Sequence, residues 1–364
     1  MSTNNQELFY KLVRAGLWAE KDANLNDSQN DKVDWEKIYQ LAEEQSVIGL
    51  VLGGLEFSNV KPPQKLLLQW IGEVQILEQQ NKAMNQFIAE LVEKLRNADI
   101  YTLLVKGQGI AQCYERPLWR ACGDVDLLLS DDNYEKAKTF LTPLAEHVDP
   151  EEKMMKHLGM TIGEWVVELH GTMHTEISPR VNWGIDEVQD ACFKKDGVRS
   201  WDNRGTKVLL PSPDNDVIFV FTHILEHFFV EGVGLRQVCD WCRLLWTYCS
   251  ELDLQLLESR IRKMRLMRVW KAFGSMAVDV LGMPKETMPF YDSRFHKKGQ
   301  RVLARIMKSG NMGHNNDLSY RTKYSGLTYK LVAMWRRIKD FAGFTMIFPI
   351  DAPKFFVNYV FRKI

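Results

Sequence analysis

Two aspartates separated by one valine, Asp124 and Asp126, stand in an otherwise apolar stretch that reads GDVDLLL. The surrounding apolar residues predict a buried β-strand, in which alternate side chains share one face. Both carboxylates would therefore project together, while Val125 points into the core. Two negative charges this close repel each other, and a hard divalent cation such as Mg²⁺ or Mn²⁺ is the usual compensation. The pair predicts a metal site, although aspartates at a strand edge also serve as turn and cap residues.

A third carboxylate on a neighbouring strand would complete a site for two metal ions. Glu168 lies in the apolar sequence VVELH and is the natural candidate, and His170 shares its face by the same alternation. We therefore predict Asp124, Asp126 and Glu168 as the catalytic metal ligands. An outward-facing glutamate on a surface strand would give the same local pattern as Glu168.

A glycine-containing turn upstream of the aspartates is suited to phosphate binding. Residues 100–105 predict a strand that ends in the sequence KGQG, residues 106–109, and a short helical stretch follows. Backbone amides at such a turn, together with the lysine, would hold triphosphate oxygens. An arginine supplies a second cation nearby in sequence. The residues predicted to bind the nucleotide are Lys106, Gly107, Gln108, Arg120, Gly123, His170, His223 and His227.

A rival chemistry comes from His223, Glu226 and His227, which match the H-x-x-E-H pattern of inverted zinc peptidases. Such an enzyme needs a third, downstream ligand, and no later glutamate stands in a context that singles it out. The alternative is a helix packed over the cleft, whose histidines orient substrate or bond to polar neighbours. Arg236 and Asp240, four apart on the next predicted helix, indicate a helix-stabilising pair or further lining of the same cleft.

Six cysteines are scattered through the chain, which favours reduced thiols over a disulfide framework. Cys239 and Cys242 form a C-x-x-C in the sequence VCDWCRLLW, which has the periodicity of an amphipathic helix. No second cysteine or histidine pair follows at zinc-finger spacing. We therefore expect both residues to be core cysteines.

The elements around the carboxylates form a strand, cap and helix unit. The second strand is predicted at residues 125–129. Ser130 then offers an N-cap, and two following aspartates complement the unpaired amides of a helix from Asn133 to about Leu144. The sequence MTIGEWVVELH, residues 160–170, predicts two short strands or one bent strand, and residues 208–210 predict another.

Most of the remaining chain has the periodicity of helices. Ser212 and Pro213 mark a helix start, because proline at the first helical position loses no hydrogen bond. We predict an α+β protein in which a small mixed β-sheet occupies residues 99–210. An N-terminal helical region, residues 1–98, would precede this core, and a C-terminal helical region, residues 211–364, would wall the cleft.

The composition limits the class of partner. The 364 residues contain 47 lysines and arginines and 47 aspartates and glutamates, so no overall field favours a polyanion. This balance argues against a nucleic-acid partner and for a small acceptor. Residues 1–20 lack the features of a secretory signal, so we expect a cytoplasmic protein.

An aromatic tail ends the sequence at residues 341–364. Asp351, Lys354 and two prolines interrupt it well short of the roughly 20 apolar residues that a membrane span needs. One interpretation is docking on the body of the protein, and the other is weak contact with a membrane surface or a partner. Its aromatic residues are Phe341, Phe344, Phe348, Phe355, Phe356, Tyr359 and Phe361.

Five segments of the chain are similar to a known superfamily. The segments LLVKGQGIAQCY, RACGDVDLLL, VVELH, HILEHFF and GLRQVCDW resemble the DNA polymerase beta-like nucleotidyltransferases, and within them a bacterial family. The resemblance covers roughly residues 100–245. It implies that Gly107 positions the nucleotide, that Asp124 and Asp126 bind metal ions, and that Glu168 completes the site.

The function that the resemblance implies is transfer of a nucleotidyl group. The donor would be an NTP such as ATP, the cofactor Mg²⁺ or Mn²⁺, and the acceptor a small molecule or a protein side chain. An alternative is a nucleotide-binding or assembly protein that keeps the fold without turnover.

Overall fold

The computed structural model describes residues 3–19, 33–194, 196–315, 323 and 325–363. In this part of the chain, strands occur only between residues 103 and 211. The strands are Leu103–Val105 (β1), Asp124–Leu128 (β2), His147–Val148 (β3), His157–Ile162 (β4), Trp165–His170 (β5), Val198–Asn203 (β6) and Thr206–Pro211 (β7). Helices fill most of the remainder, which confirms the predicted α+β class.

The α-helices fall into three groups along the chain. Those before the sheet are Thr3–Trp18 (α1), Trp35–Glu44 (α2), Ile48–Leu55 (α3) and Gln64–Asn97 (α4). Those between strands are Gly107–Ala111 (α5), Asp131–Leu141 (α6) and Pro179–Cys192 (α7). Those after the last strand are Pro213–Val230 (α8), Leu235–Thr247 (α9), Leu254–Lys263 (α10), Met267–Asp279 (α11), His296–Ser309 (α12), Gly326–Ile347 (α13) and Asp351–Lys363 (α14). Short 3₁₀ turns lie at Pro117–Trp119, Thr142–Leu144, Ser293–Phe295 and Asn311–Gly313.

Five strands form a mixed sheet in the order β1-β2-β5-β4-β3, and β6 and β7 form a separate hairpin. The pairing is antiparallel except between β2 and β5, which run parallel. The parallel register places Asp126 beside Glu168 and Leu128 beside His170. The antiparallel register of β4 with β5 then places His157 beside His170.

The predicted strands are present with shifted ends. The strand expected at residues 100–105 has only three residues in β1, and the segment 160–170 forms two strands, β4 and β5. The helix expected from Asn133 begins two residues earlier and ends as a 3₁₀ turn. Ser130 is its N-cap residue, but its hydroxyl accepts a bond from the Asn133 side chain and makes none to a backbone amide. Strand β6, the partner of β7, was not predicted.

One face of the sheet is apolar and buried. Val125 and Leu127 of β2 and Val167 and Leu169 of β5 are buried together with residues of α4 and α6, such as Tyr134. Alternation along each strand sends the intervening side chains to the opposite face. Burial of one face therefore fixes the register that carries the acidic residues on the other.

A larger apolar core joins the helices on both ends of the chain to the sheet. It contains Leu12 of α1, Leu103 of β1 and Phe221 of α8, so it draws on all three predicted regions. The predicted division at residues 98 and 210 stays a prediction. Cys239 and Cys242 are fully buried in this core as thiols, as their helical pattern predicted.

The aromatic tail packs on the body of the protein. The rings of Phe344 and Phe348 are buried against Phe228 and Phe229 of α8, with centroids 5.0–6.5 Å apart. The side chains of Tyr359 and Phe361 lie outside the described residues. Contact of the tail with a membrane or a partner stays a prediction. In the described part of the chain, no helix combines the length and apolar character that a membrane span requires.

We predict that Phe344→Ala destabilises the protein by about 3 kcal/mol or more, because Phe344 is 1% exposed and its loss opens a cavity in the ring cluster. Met346→Ala is the matched control on the same helix, since Met346 is 73% exposed. Urea denaturation followed by circular dichroism measures both. Equal free energies of unfolding for the two variants would contradict the buried position of the tail.

Candidate metal and nucleotide site

The polar face of the sheet gathers acidic and imidazole side chains from three adjacent strands. Asp124 and Asp126 come from β2, Glu168 and His170 from β5, and His157 from β4. Each alternates with buried apolar residues, so the same packing that holds the sheet together aims these groups into one cleft. Asp126 is the most deeply buried of the carboxylates, at 2% exposure.

Short contacts connect these groups. The Oδ1 atom of Asp126 lies 2.6 Å from Nζ of Lys106 and 2.8 Å from Nε2 of His170. The Oε2 atom of Glu168 lies 3.2 Å from Nε2 of His157 and 3.4 Å from Nε2 of His170. The floor of the cleft is therefore a connected network of carboxylates, imidazoles and one ammonium group.

The network shifts the ionisation of its members. Repulsion from Asp126, and then burial, raises the pKa of Asp124 above its usual value. Burial disfavours the charged form of Glu168, but hydrogen bonds from His157 and His170 outweigh it, so its pKa lies below the usual range. Burial likewise opposes the charge of Lys106, but attraction from Asp126 and the other carboxylates raises its pKa. The site thus holds negative charge that one ammonium group does not balance.

The donor set fits a hard divalent cation. Carboxylate oxygens of Asp124, Asp126 and Glu168 all lie within 4.8 Å of one another. Oxygen donors at this spacing suit Mg²⁺ or Mn²⁺. The raised pKa of Asp124 is the expected state of clustered carboxylates before a cation relieves their repulsion.

The turn after β1 has an unusual backbone. Lys106 has φ +56° and Gly107 has φ +38°, and both values lie in the left-handed region that costs a non-glycine residue energy. A Cβ atom on Gly107 would also lie 3.2 Å from the Cys122 sulfur. The turn aims the Lys106 side chain at Asp126, where the sequence predicted a phosphate contact. Glycine at 107 lets β1 approach the start of β2.

Two of the predicted nucleotide-binding residues, Gln108 and Gly123, are outside the lining of the cleft. The Gln108 side chain is buried and donates to Oδ1 of Asn81 on α4, so only its backbone could face a nucleotide. Gly123 is exposed at the start of β2 and is outside the lining of the cleft. The short helix α5 that follows the turn is itself buried.

Helices α8 and α9 form the wall opposite the sheet. The cleft has a volume of about 460 Å³, within the range of small-molecule sites. His223 and His227 of α8 and Arg236 of α9 line it together with the sheet residues. Burial and the nearby Lys106 hold the pKa of His223 well below its usual value, so this ring is neutral.

Among the residues that the structure describes, the zinc-peptidase interpretation lacks its third ligand. The Nε2 atoms of His223 and His227 lie 3.1 Å apart, and the carboxylate of Glu226 accepts a bond from the amide of Glu176. Within the part of the chain that the structure describes, neither histidine belongs to a group of three donors close enough to share a metal ion. The five-residue pattern therefore reflects a helix over the cleft.

A buried ion pair supports this wall. Arg120 donates to both carboxylate oxygens of Asp240, at 3.0 and 2.6 Å, and the Tyr114 hydroxyl donates to the same group at 2.7 Å. The expected pair of Arg236 with Asp240 is therefore wrong. Arg236 donates from Nη1 to the carbonyl of Ala121, because a closer cation already occupies the aspartate.

The chain matches a family model described as uncharacterised nucleotidyltransferase over residues 31–282, which is more than half of its length. The chain belongs to this nucleotidyltransferase family. No curated protein matches the sequence. A crystal structure of an antigenic nucleotidyltransferase-like protein from Paracoccidioides brasiliensis is similar at 14% identity, covering 55% of this chain and 92% of that one. Its TM-score of 0.32 is too low to support an argument.

In the structure, most of the predicted site residues come together. The cleft contains Lys106, Gly107, Arg120, Asp124, Asp126, Glu168, His170, His223 and His227. One further residue, His157, escaped the sequence argument. It lies in a strand whose alternate residues are apolar, and that alternation could have revealed it. Arg236 lines the cleft, which was one of the two interpretations that the sequence left open for it.

Arg236 is the least compensated cation of the cleft. Its Nε atom is buried and has no hydrogen-bond partner in the described part of the chain, and the same holds for Nη1 of Arg120. Burial and repulsion from Arg120 lower the pKa of Arg236. A buried N–H group without a hydrogen-bond partner costs free energy of folding. An anionic ligand that accepted a bond from it would offset that cost.

We predict that Asp240→Ala destabilises the protein by about 3–5 kcal/mol, because it leaves Arg120 buried without its counter-ion. Glu56→Ala is the control, since it breaks the exposed pair with Arg116 and should cost less than about 1 kcal/mol. Urea denaturation gives both free energies of unfolding. A loss as small for Asp240→Ala as for the control would show that the pair does not support the wall.

Proposed function

We propose that the chain is a metal-dependent nucleotidyltransferase that moves a nucleotidyl group from an NTP to a small molecule or a protein side chain. Asp124, Asp126 and Glu168 are the proposed metal ligands. The observation that carries the proposal is the convergence of these three carboxylates, from two parallel strands, on the floor of a cleft that also holds buried cations. Membership of the family supports the reaction class.

The proposed roles follow from charge. A bound divalent cation would neutralise charge on the phosphates and favour departure of pyrophosphate. Arg236 and Arg120 line the cleft, and each has a buried N–H group without a hydrogen-bond partner among the described residues. Guanidinium groups suit phosphate oxygens in charge and in the spacing of their donors. Lys106 balances Asp126 before substrate arrives and supplies a further positive charge near the phosphates.

The proposal includes membership of the DNA polymerase beta-like superfamily. Its support is the order of features along the chain: a glycine turn after β1, two aspartates on β2, and a third carboxylate on the adjacent strand β5. The size of the cleft and the neutral net charge favour a small acceptor over a nucleic acid. His223 and His227 lie where they would contact donor or acceptor.

One observation favours a second candidate, a nucleotide-binding protein without turnover. Oδ1 of Asp126 is already engaged by both Lys106 and His170. If this pairing persists with nucleotide present, Oδ1 is not available to a metal ion and only Oδ2 is left to bind one. Nucleotide binding that is independent of Mg²⁺ and of Asp126 would identify this case.

We predict that the double variant Asp124→Asn, Asp126→Asn loses Mg²⁺-dependent NTP binding while its fold persists, because neutral amides no longer attract a cation. Calorimetric titration with ATP, GTP, CTP and UTP, with and without Mg²⁺, measures binding and names the preferred base. Asp132→Asn is the control, since Asp132 is an exposed first-turn residue of α6. Metal-dependent binding retained by the double variant would refute the proposed ligands.

We predict that Arg236→Ala weakens binding of the preferred NTP about 10- to 100-fold. Loss of a hydrogen-bonded charge costs about 1.5–3 kcal/mol, and each 1.4 kcal/mol is a factor of ten in affinity. Arg236→Lys should recover part of the loss, because it keeps the charge without the fork of donors. Arg204→Ala, at an exposed hairpin turn, is the control. Unchanged affinity in Arg236→Ala would remove this residue from the phosphate site.

A further inference from the structure

The cleft is rich in imidazole. The sequence contains eight histidines, and five of them line this one cavity. Magnesium makes little use of nitrogen ligands, whereas imidazole suits divalent transition metals such as Zn²⁺. The histidines that line the cavity are His157, His170, His174, His223 and His227.

Three of the cleft residues have the spacing of ligands around a tetrahedral ion. Nε2 of His157 and Nε2 of His170 lie 3.2 and 3.4 Å from Oε2 of Glu168. Zinc–nitrogen and zinc–oxygen bonds of about 2.0–2.2 Å give tetrahedral edges of about 3.4 Å between donor atoms. The measured separations therefore match two edges of such a polyhedron.

The Nε2 atom of His170 is shared between two carboxylates. Nε2 of His170 carries at most one N–H, yet it faces Oδ1 of Asp126 at 2.8 Å as well as the Glu168 oxygen. The same Glu168 oxygen faces two ring nitrogens. A cation between Glu168 and the two rings would satisfy all three donor atoms at once.

The strands hold the three residues in place without a metal. His157 and His170 are register partners across β4 and β5, and their ring centroids lie 4.8 Å apart. Glu168 lies two residues before His170 on the same face of β5. Such a site on neighbouring strands is preorganised, so a metal ion would find its ligands already assembled.

We propose that His157, Glu168 and His170 form a second metal site, which binds a divalent transition metal with the preference of Zn²⁺ for nitrogen and oxygen ligands. Three protein ligands leave a fourth position open toward the cleft. The site shares Glu168 with the proposed Mg²⁺ site but does not depend on nucleotidyl transfer. It differs from the His223 and His227 pair, which has no third donor within reach among the described residues.

The test is calorimetric titration of the full chain with Zn²⁺, after removal of bound metal by a chelator and in the presence of excess Mg²⁺. We expect one Zn²⁺ site in the wild type that His157→Gln weakens by more than about 100-fold, since even partners of ligands are worth 10- to 100-fold in affinity. His147→Gln is the matched control, because His147 lies exposed on β3 outside the cleft. It should bind Zn²⁺ as the wild type does.

A second variant and a second readout separate the rival outcomes. His223→Gln should bind Zn²⁺ as the wild type does. Co²⁺ in place of Zn²⁺ should give visible ligand-field absorption in the wild type and in His223→Gln, and His157→Gln should lose this absorption. Absence of Zn²⁺ binding in the wild type, or equal binding by His157→Gln, overturns the inference. Loss of Zn²⁺ binding in His223→Gln, with Zn²⁺ binding retained in His157→Gln, also overturns it. That result would assign the metal ion to His223 and His227 of α8.

Asp124→Asn distinguishes this inference from the proposed function. It should lose Mg²⁺-dependent NTP binding and keep the Zn²⁺ site, because Asp124 is outside the histidine group. If the wild type binds NTP but has no Zn²⁺ site, the result contradicts the inferred Zn²⁺ site and leaves the proposed function standing. A Zn²⁺ site that needs His157, in a chain that binds no NTP, supports the inference and counts against the proposed function.

Discussion

The parallel pairing of β2 with β5 is the constraint on which the site depends. It brings Asp126 beside Glu168 in register, and the apolar residues between the acidic ones lock that register from the other face. A shift by one residue would bury the carboxylates and expose the valines and leucines. The free energy of the core therefore holds together like charges that would otherwise separate.

The side chains that contact the carboxylates compensate this concentration of negative charge. Lys106 is aimed at Asp126 by a backbone turn with positive φ at Lys106 and Gly107, and His157 and His170 bond to Glu168. Farther out, Arg120 is neutralised by Asp240, while Arg236 donates to the backbone carbonyl of Ala121. The three carboxylates thus lie on the floor of the cleft, and two guanidinium groups line it beside them.

The sequence predicted the floor of the site better than its wall. Local alternation was enough for Asp124, Asp126 and Glu168, because the period of a strand decides which side chains share a face. The partner of Asp240 could not be found locally, since Arg120 lies 120 positions away and Arg236 stands at the ideal helical spacing. The position of the Gln108 side chain was equally hidden from the sequence, since it bonds to Asn81 on α4, 27 positions upstream. Strand β6, half-exposed and with no apolar run, gave too weak a pattern to predict.

The ion pair of Lys106 with Asp126 would make the proposed metal site an ion exchanger. Lys106 gives the buried carboxylate a counter-ion that does not depend on a metal ion. A dication that took the same oxygen would displace this ammonium group, and its affinity would be set by that exchange. The released ammonium group would stay tethered beside the turn after β1, where it could meet an incoming anion. Under the proposed function, metal binding and anion binding would thereby be coupled through one lysine.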